Sequence, residues 1–376
     1  MEHYLDNSAT TKVCQAAAEA AMLAMTEIYG NPSSTHTRGR EARQLLDKSR
    51  KQVADALGCT VQELVFTSCG SESDNWAILN GAELMRRKGM HIISSQVEHD
   101  AVRKSLDELE RRGFEVTRLK PDETGAIPVQ AVMEALRPDT VLVTLMLVNN
   151  ETGAVTDIGA IARAMKKAGS QALLHTDAVQ AFMKLPFTVK SLGADMISVS
   201  GHKIHAPKGI GALYIKNGVK LKPFLLGGGQ EDGRRAGTEA MPQIAAFAAA
   251  CREAGKHLQE NFDRMAALRQ LAIDELRRDI PELVVIGGGA PHILSISLPG
   301  WRSEVLMNYL EAREIYVSKS SACKKGGRSH VLEAIGLAPK VIDGAIRIGL
   351  SRFTTREDIL ALCAALKEAR SKLAHN

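Results

Sequence analysis

One lysine stands where a strand of an α/β protein would end, in Ser200-Gly201-His202-Lys203 after an apolar run. Ligands collect beyond the carboxyl ends of strands in open α/β sheets, so a lysine in this place faces the expected site. Its amine is the group that forms a Schiff base with a carbonyl cofactor. Taken alone, the tetrapeptide describes an ordinary solvated lysine equally well.

An acid occupies the same kind of position in His175-Thr176-Asp177-Ala178-Val179-Gln180. A carboxylate at a strand end could pair with a protonated pyridine nitrogen and make a cofactor ring a better electron sink. A helix cap at Asp177 explains the residue about as well.

Three further apolar runs end in groups that could bind a ligand. Gly70 and Ser71 begin a helix whose backbone amides suit a phosphate. His99 follows a second run and could stack on a ring or transfer protons near neutral pH. Asn150 follows a third, in a stretch that is also typical of a plain turn. Five such strand ends are explained more simply by one shared site than by five separate turns.

Short buried runs alternate with amphipathic stretches, and this alternation predicts a mainly parallel sheet covered by helices. The predicted strands cover 64–67, 91–95, 141–148, 171–176, 195–200 and 211–215, and the predicted helices 71–88, 100–112, 129–137 and 157–169.

The pattern changes near residue 241, where one long helical tract is expected to run to about 278 and to lead into a second domain. We expect the boundary near 255. Thr354 and Glu357 match a capping box for the last helix. The remaining predicted elements are strands at 293–298, 315–318 and 345–351 and a helix at 303–312.

Composition excludes several classes of protein. The 48 basic and 43 acidic residues are interspersed, so we expect no nucleic-acid or membrane surface. No apolar run is long enough to span a bilayer, and residues 1–6 lack the pattern of a secretory signal, so we expect a cytoplasmic protein. Six cysteines without a Cys-x-x-Cys pair indicate neither a disulfide framework nor a metal site.

The chain resembles the NifS-like cysteine desulfurases, in the class V branch of the fold-type I enzymes that use pyridoxal 5'-phosphate (PLP). The resemblance extends from Tyr4-Leu5-Asp6-Asn7-Ser8-Ala9-Thr10-Thr11 to Arg352-Phe353-Thr354-Thr355. It implies an α/β fold with a large domain at 15–255, built on a mainly parallel seven-stranded sheet. A smaller α+β domain would comprise 1–14 and 256–376 and carry the catalytic cysteine loop.

The resemblance also assigns roles to individual residues. Lys203 would bind PLP covalently, Asp177 would pair with the ring nitrogen, and His99 would stack over the ring. Arg352 would bind the substrate carboxylate, a task that suits its two-pronged donor geometry. The other implied contacts are Gln180 to the phenolic oxygen, Asn150 to cofactor and substrate, and Gly70, Ser71, Ser200, His202 and the partner subunit's Thr238 to the phosphate.

Cys323 lies in a serine- and glycine-rich stretch that resembles the family's segment around the nucleophilic cysteine. Lys324 and Lys325 would favour its thiolate. The other five cysteines are expected to be structural. The implied reaction converts L-cysteine to L-alanine with sulfur held on Cys323 as a persulfide, for an iron-sulfur scaffold or a thiolation protein. A selenocysteine lyase or another class V aminotransferase is the alternative, and a homodimer is implied.

Overall fold

The computed structural model describes residues 1–319 and 327–373, so Cys323, Lys324 and Lys325 lie outside the described residues. The described part contains a seven-stranded sheet, a four-stranded sheet and a two-stranded pairing. The strands are β1 (His3–Tyr4), β2 (Leu64–Thr67), β3 (His91–Ser95), β4 (Glu115–Leu119), β5 (Thr140–Thr144), β6 (Leu173–Asp177), β7 (Met196–Ser200), β8 (Gly211–Ile215), β9 (Val284–Ile286), β10 (Ile293–Ser297), β11 (Ile315–Tyr316), β12 (Ser318–Lys319) and β13 (Ala345–Gly349).

Helices cover the sheets and supply the start of several site segments. They are α1 (Gln15–Thr26), α2 (Thr37–Leu57), α3 (Gly70–Met85), α4 (Asp100–Arg111), α5 (Val129–Ala135), α6 (Ile158–Lys167), α7 (Val189–Leu192), α8 (Met241–Gly255), α9 (Leu258–Asp279), α10 (Ser303–Glu311), α11 (His330–Ala334), α12 (Pro339–Asp343) and α13 (Arg356–Lys372).

The seven-stranded sheet has the order β2-β8-β7-β6-β5-β3-β4. Only β8 runs against its neighbours, and it pairs antiparallel with both β2 and β7. The carboxyl ends of β2, β3, β5, β6 and β7 therefore meet at one edge of the sheet. The predicted α/β fold with a mainly parallel seven-stranded sheet is confirmed.

Strand β4 was absent from the sequence prediction, and its place in the sheet explains why. Strands β3, β5 and β7 are buried along their whole length, as expected for a sheet covered on both faces. Strand β4 lies at the sheet edge, is only partly buried and carries Glu115 and Arg118. Its polar composition therefore resembles a surface segment.

One core packs against the seven-stranded sheet, with α1, α2, α6 and α8. A second core forms around the four-stranded antiparallel sheet β12-β13-β10-β9 and helices α9, α10 and α13. Leu5 at the amino terminus belongs to this core, since β1 pairs with β11 and Asp6 bridges to Gly349. The division into 15–255 and the remainder stays a prediction.

The single helical tract predicted for 241–278 is two helices, α8 and α9. Helix α8 ends at Gly255, and His257 has non-helical backbone angles. Glycine has a low helix propensity, so the helix gains little stability from continuing past Gly255, and the break falls there. The break lets α8 pack on α1 and α2 while α9 packs on α13.

The capping box of the last helix lies one residue later than predicted. Thr355 accepts a hydrogen bond from the Asp358 amide at 3.2 Å, and Asp358 accepts one from the Thr355 amide at 2.8 Å. Thr354 instead accepts from the Ser351 amide at 2.9 Å, in the turn that precedes the helix.

No helix of residues 1–319 and 327–373 is long and apolar enough to cross a membrane.

Candidate active site

A cleft of about 350 Å³ lies at the edge where the parallel strands end. It collects polar groups from segments that follow β2, β3, β6 and β7, as expected for an open α/β sheet. Nine of the residues singled out from the sequence line it: Gly70, Ser71, His99, Asn150, Asp177, Gln180, Ser200, His202 and Lys203.

Lys203 lies in the turn that directly follows β7. Its Nζ donates to the carbonyl oxygens of Ser8 at 2.6 Å and Ala9 at 2.7 Å. The amino-terminal segment thus crosses the cleft and holds the amine on its wall.

Asp177 ends β6 and is one of four buried carboxyl groups in the cleft, together with Asp74, Glu98 and Glu151. Burial raises the pKa of Asp177, while His99, the Val179 amide at 2.8 Å and Lys203 oppose that rise. Burial and the negative charge of Asp177 raise the pKa of Asp74, and burial raises the pKa of Glu98 to about 8. A cationic ring nitrogen at this end of the cleft would offset the negative charge.

Asp74 and Glu98 were not assigned roles from the sequence, although Asp74 follows Ser71 by three residues and Glu98 directly precedes His99. Asp74 lies on α3, four residues after Gly70, and His175 Nε2 is 3.6 Å from its Oδ1. Burial lowers the pKa of His175 to about 3, so this histidine is neutral. Its ring is fixed by Thr144 and Ser198 at 2.8 and 3.0 Å. Asp74 Oδ1 therefore faces the neutral imidazole ring of His175 and not a cation.

The start of α3 and the end of β7 form the end of the cleft that suits a phosphate. A Cβ on Gly70 would come within 2.7 Å of the Val179 side chain, so only glycine allows this close packing. Ser200 Oγ is buried and has no hydrogen-bond partner among the described residues. Burial, together with Lys203, lowers the pKa of His202 to about 4, so its neutral ring offers a hydrogen bond and no charge.

His99 caps α4, since its Nδ1 accepts from the Ala101 amide at 3.1 Å. An accepting Nδ1 carries no proton, so the Nε2 atom is the one that holds the ring proton. Gln180 donates from Nε2 to the Ser8 carbonyl at 2.9 Å, and its Oε1 is buried without a partner among the described residues.

The arginine in this cleft that comes from β13 is Arg347, whereas the sequence reasoning selected Arg352. Arg347 is 3% exposed and donates to the Asn150 carbonyl at 2.7 Å and to Ser318 at 2.8 Å. Its Nε has no partner among the described residues. Neighbouring Ile346 and Ile348 point the other way, into the second core, as alternation along a strand requires.

Arg352 follows the end of β13 and does not line this cleft. Its guanidinium lies 5.0 Å from the centre of the Phe353 ring, and it borders a smaller cavity that Lys203 also borders. The structure therefore brings Arg352 near Lys203 in that cavity but not into the cleft that the other candidate residues line.

Thr238 is also absent from the cleft lining. Thr238 is exposed on the surface of this chain, and Cys323 lies outside the described residues. Cys69, which was expected to be structural, lies on the cleft wall beside Gly70.

The described residues fit PLP. The cofactor needs an amine for its carbonyl carbon, an anion for its ring nitrogen and hydrogen-bond donors for its phosphate. Lys203, Asp177 and the start of α3 supply these groups, and the unpartnered Ser200 Oγ and Gln180 Oε1 are buried polar atoms that a ligand would satisfy.

Residues 3–362 match the family model described as aminotransferase class-V. "Cysteine desulfurase IscS" of Methanosarcina thermophila is 40% identical over 375 residues, which cover 98% of this chain and 92% of that protein. A solved structure titled "NIFS-LIKE PROTEIN" has a TM-score of 0.93 at 36% identity, covering 99% of this chain and 100% of the other. Another, "SspA in complex with cysteine", has a TM-score of 0.83 at 32% identity, covering 94% and 100%.

The chain belongs to the class-V aminotransferase family of PLP-dependent enzymes, among the NifS and IscS cysteine desulfurases. These relatives do not favour the alternative of a selenocysteine lyase or another aminotransferase.

Proposed function

We propose that the cleft converts L-cysteine to L-alanine and passes the sulfur to Cys323 as a persulfide. The observation that carries this proposal is the convergence of Lys203, Asp177 and His99 from three strand ends on one cleft. The bond between the substrate sulfur and its carbon breaks, and a bond between that sulfur and the Cys323 sulfur forms. The electron pair of the broken bond ends on the carbon that becomes the alanine methyl group.

PLP supplies the electron sink that makes this cleavage possible. Asp177 would keep the ring nitrogen protonated, while Gly70, Ser71, Ser200 and His202 would bind the phosphate. Gln180 would donate its second Nε2 hydrogen to the phenolic oxygen, and Asn150 would contact cofactor and substrate. Lys203 Nζ and His99 Nε2 would move protons to and from the reacting carbon atoms.

Arg347 is our candidate for binding the substrate carboxylate, in place of Arg352. It lines the cleft, and its unpartnered Nε leaves a donor for a carboxylate. Its contacts to Asn150 and Ser318 fix the direction of the guanidinium. Its Nη2 also donates to Asp6 Oδ1 at 3.3 Å, so a substrate carboxylate would bind at Nε and share Nη2 with Ser318 and Asp6.

The chain on either side of residues 320–326 supports the role of Cys323. Ser318, just before that segment, bonds Arg347 on the cleft wall. Ser329, just after it, donates to the buried carboxylate of Glu151 on the same wall. Both flanking residues are therefore attached to the cleft in which a thiol would have to reach the substrate.

We also propose a homodimer in which the partner's Thr238 contacts the phosphate. Exposed apolar side chains on α1 support it: Met22 and Met25 lie three residues apart on this helix and are more than half exposed. Neighbouring exposed apolar side chains of this kind are typical of an interface. We expect the persulfide to pass to an acceptor protein, an iron-sulfur scaffold or a thiolation protein, in the reducing cytoplasm.

The test is Cys323→Ser in the PLP-bound enzyme. Serine is a much weaker nucleophile towards sulfur than a thiolate, so alanine and sulfide formation from cysteine should stop together. The visible absorbance of bound PLP should remain, because Lys203 is unchanged. Cys59→Ser, at a half-buried position outside the cleft, is the matched control and should retain turnover. Undiminished sulfur release by Cys323→Ser would refute the role of Cys323.

A further inference from the structure

A second, smaller cavity of about 20 Å³ adjoins Lys203. It lies between the turn that follows β6, the turn that follows β7, helix α9 and the residues after β13. Its polar lining consists of Lys184, Lys203, His205, Asn261, Ser351 and Arg352. Three of these six side chains are cationic types, and none is an acid.

Lys184 is the least exposed of the lysines in this wall. Its side chain is 6% exposed, and its Nζ is buried without a hydrogen-bond partner among the described residues. Burial lowers the pKa of Lys184 well below its ordinary value, and the cationic Lys203 and Arg347 lower it further. A counterion beside Nζ would favour the protonated amine, which is otherwise costly to bury.

Hydrogen-bond donors outnumber acceptors around this cavity. Arginine and protonated lysine side chains donate and do not accept. Arg352 Nε is also buried without a partner among the described residues. Ser351 Oγ already accepts from the Phe353 amide, and His205 Nδ1 contacts the Lys12 carbonyl. Asn261 offers both a donor and an acceptor, and Cys14 and Glu253 act on Arg352 from outside the lining. Lys184 Nζ and Arg352 Nε are therefore the two buried donors that an accepting occupant would satisfy.

The size of the cavity limits the occupant to a single atom or small molecule. A single water-sized occupant needs about 10–15 Å³ of cavity volume. The cavity, at about 20 Å³, therefore holds one such occupant and excludes anions with several heavy atoms. We propose that the cavity binds one halide-sized monovalent anion, such as chloride, held by Lys184 and Arg352. The anion would place a negative charge beside Lys203 without entering the main cleft.

A crystal of the protein grown or soaked in sodium bromide tests the proposal directly, because bromide is identified by its anomalous scattering. We expect an anomalous peak in contact with Lys184 Nζ and Arg352. A cavity that contains only water in such crystals would overturn the proposal.

Thermal unfolding gives a second, independent test in solution. At constant ionic strength, replacing acetate by bromide should raise the unfolding midpoint of the wild-type protein, because a ligand of the folded state stabilises it. Lys184→Met should abolish the bromide-dependent rise, and Lys190→Met, at an exposed lysine six residues on, should keep it. An equal rise in Lys184→Met and wild type would overturn the proposal. If Lys184→Met fails to fold, the wild-type bromide crystal decides.

Discussion

Glu98 is 1% exposed, and its Oε1 accepts from Ser95 at 2.5 Å and from the Met146 amide at 3.2 Å. Its Oε2 has no partner among the described residues. A carboxylate with one satisfied oxygen is costly to bury, which is why burial raises its pKa to about 8. Near neutral pH the group therefore carries a proton, and Asp177 does not face a second full charge.

This protonation makes stability depend on pH. The folded pKa of Glu98 is above the ordinary value of 4.5, so the folded state binds the extra proton between pH 4.5 and about 8. Stability is complete below that window and falls as the pH rises through it. Glu98→Gln cannot lose a proton, so relative to wild type it should gain on the order of 3 kcal/mol between pH 5 and pH 8.

Urea unfolding of the cofactor-free protein at the two pH values measures this gain. Glu134→Gln, at an exposed glutamate, is the control and should follow wild type. Parallel pH profiles for wild type and Glu98→Gln would show that Glu98 is ionised in the folded protein.

Arg347→Lys should lower kcat/KM for cysteine by about 30- to 100-fold, because lysine cannot make the two parallel bonds of a guanidinium. Arg352→Lys should cost less than tenfold. Inhibition by L-alanine gives a second readout, since alanine has the carboxylate and lacks the sulfur. Its inhibition constant should rise in Arg347→Lys. A larger loss of alanine binding in Arg352→Lys would return the carboxylate site to Arg352.

Sequence reasoning found residues that follow strands and missed one that lies within a strand. Lys203, Asp177 and His99 stand out because polar groups interrupt an apolar pattern at its end. Arg347 lies in the middle of the buried strand β13. The alternation of side chains along a strand does not show whether an arginine there faces a cleft or the solvent at the edge of a sheet. Its position became identifiable only when β13 was seen to pair with β10 and β12.

At the scale of elements, the buried strands of the seven-stranded sheet were predictable because they read as short, largely apolar runs. Strands 64–67, 91–95 and 211–215 match the structure at both ends. The run predicted as one strand at 315–318 divides into β11 and β12, which pair with different partners. The local sequence does not encode this change of partner strand, because the change depends on the positions of β1 and β13 in the fold.

The cap of α13 gives a test at this scale. Thr355→Ala should destabilise the protein by about 1 kcal/mol, because the Asp358 amide loses its acceptor. Glu357→Ala, at an exposed position in the same turn, should have little effect. Urea unfolding midpoints measure both. An equal loss in Glu357→Ala would favour the capping box first predicted from Thr354 and Glu357.

At the scale of the whole molecule, the amino-terminal segment connects the second core to the cleft. Leu5 packs with the second core, Asn7 donates to the Gly349 carbonyl at 3.0 Å, and Ser8 and Ala9 accept from Lys203. The position of the Lys203 amine therefore depends on both cores. A shift of one core relative to the other would move that amine.

The proposed homodimer predicts that two inactive or weakened chains restore each other. Lys203→Ala removes the amine of its own cleft, and Thr238→Ala weakens phosphate binding in the cleft of its partner. In a mixed dimer, one cleft contains Lys203 from one chain and Thr238 from the other, so it is intact. Random mixing of equal amounts makes half the dimers mixed, each with one intact cleft, which gives about a quarter of wild-type activity at limiting PLP.

Co-expression of the two variants with different tags, followed by tandem purification, isolates the mixed dimer for this measurement. Each variant alone provides the baseline. Activity equal to the average of the two baselines would mean that Thr238 acts within its own chain. In that case the exposed position of Thr238 would require the surrounding loop to fold back onto the cleft of the same subunit.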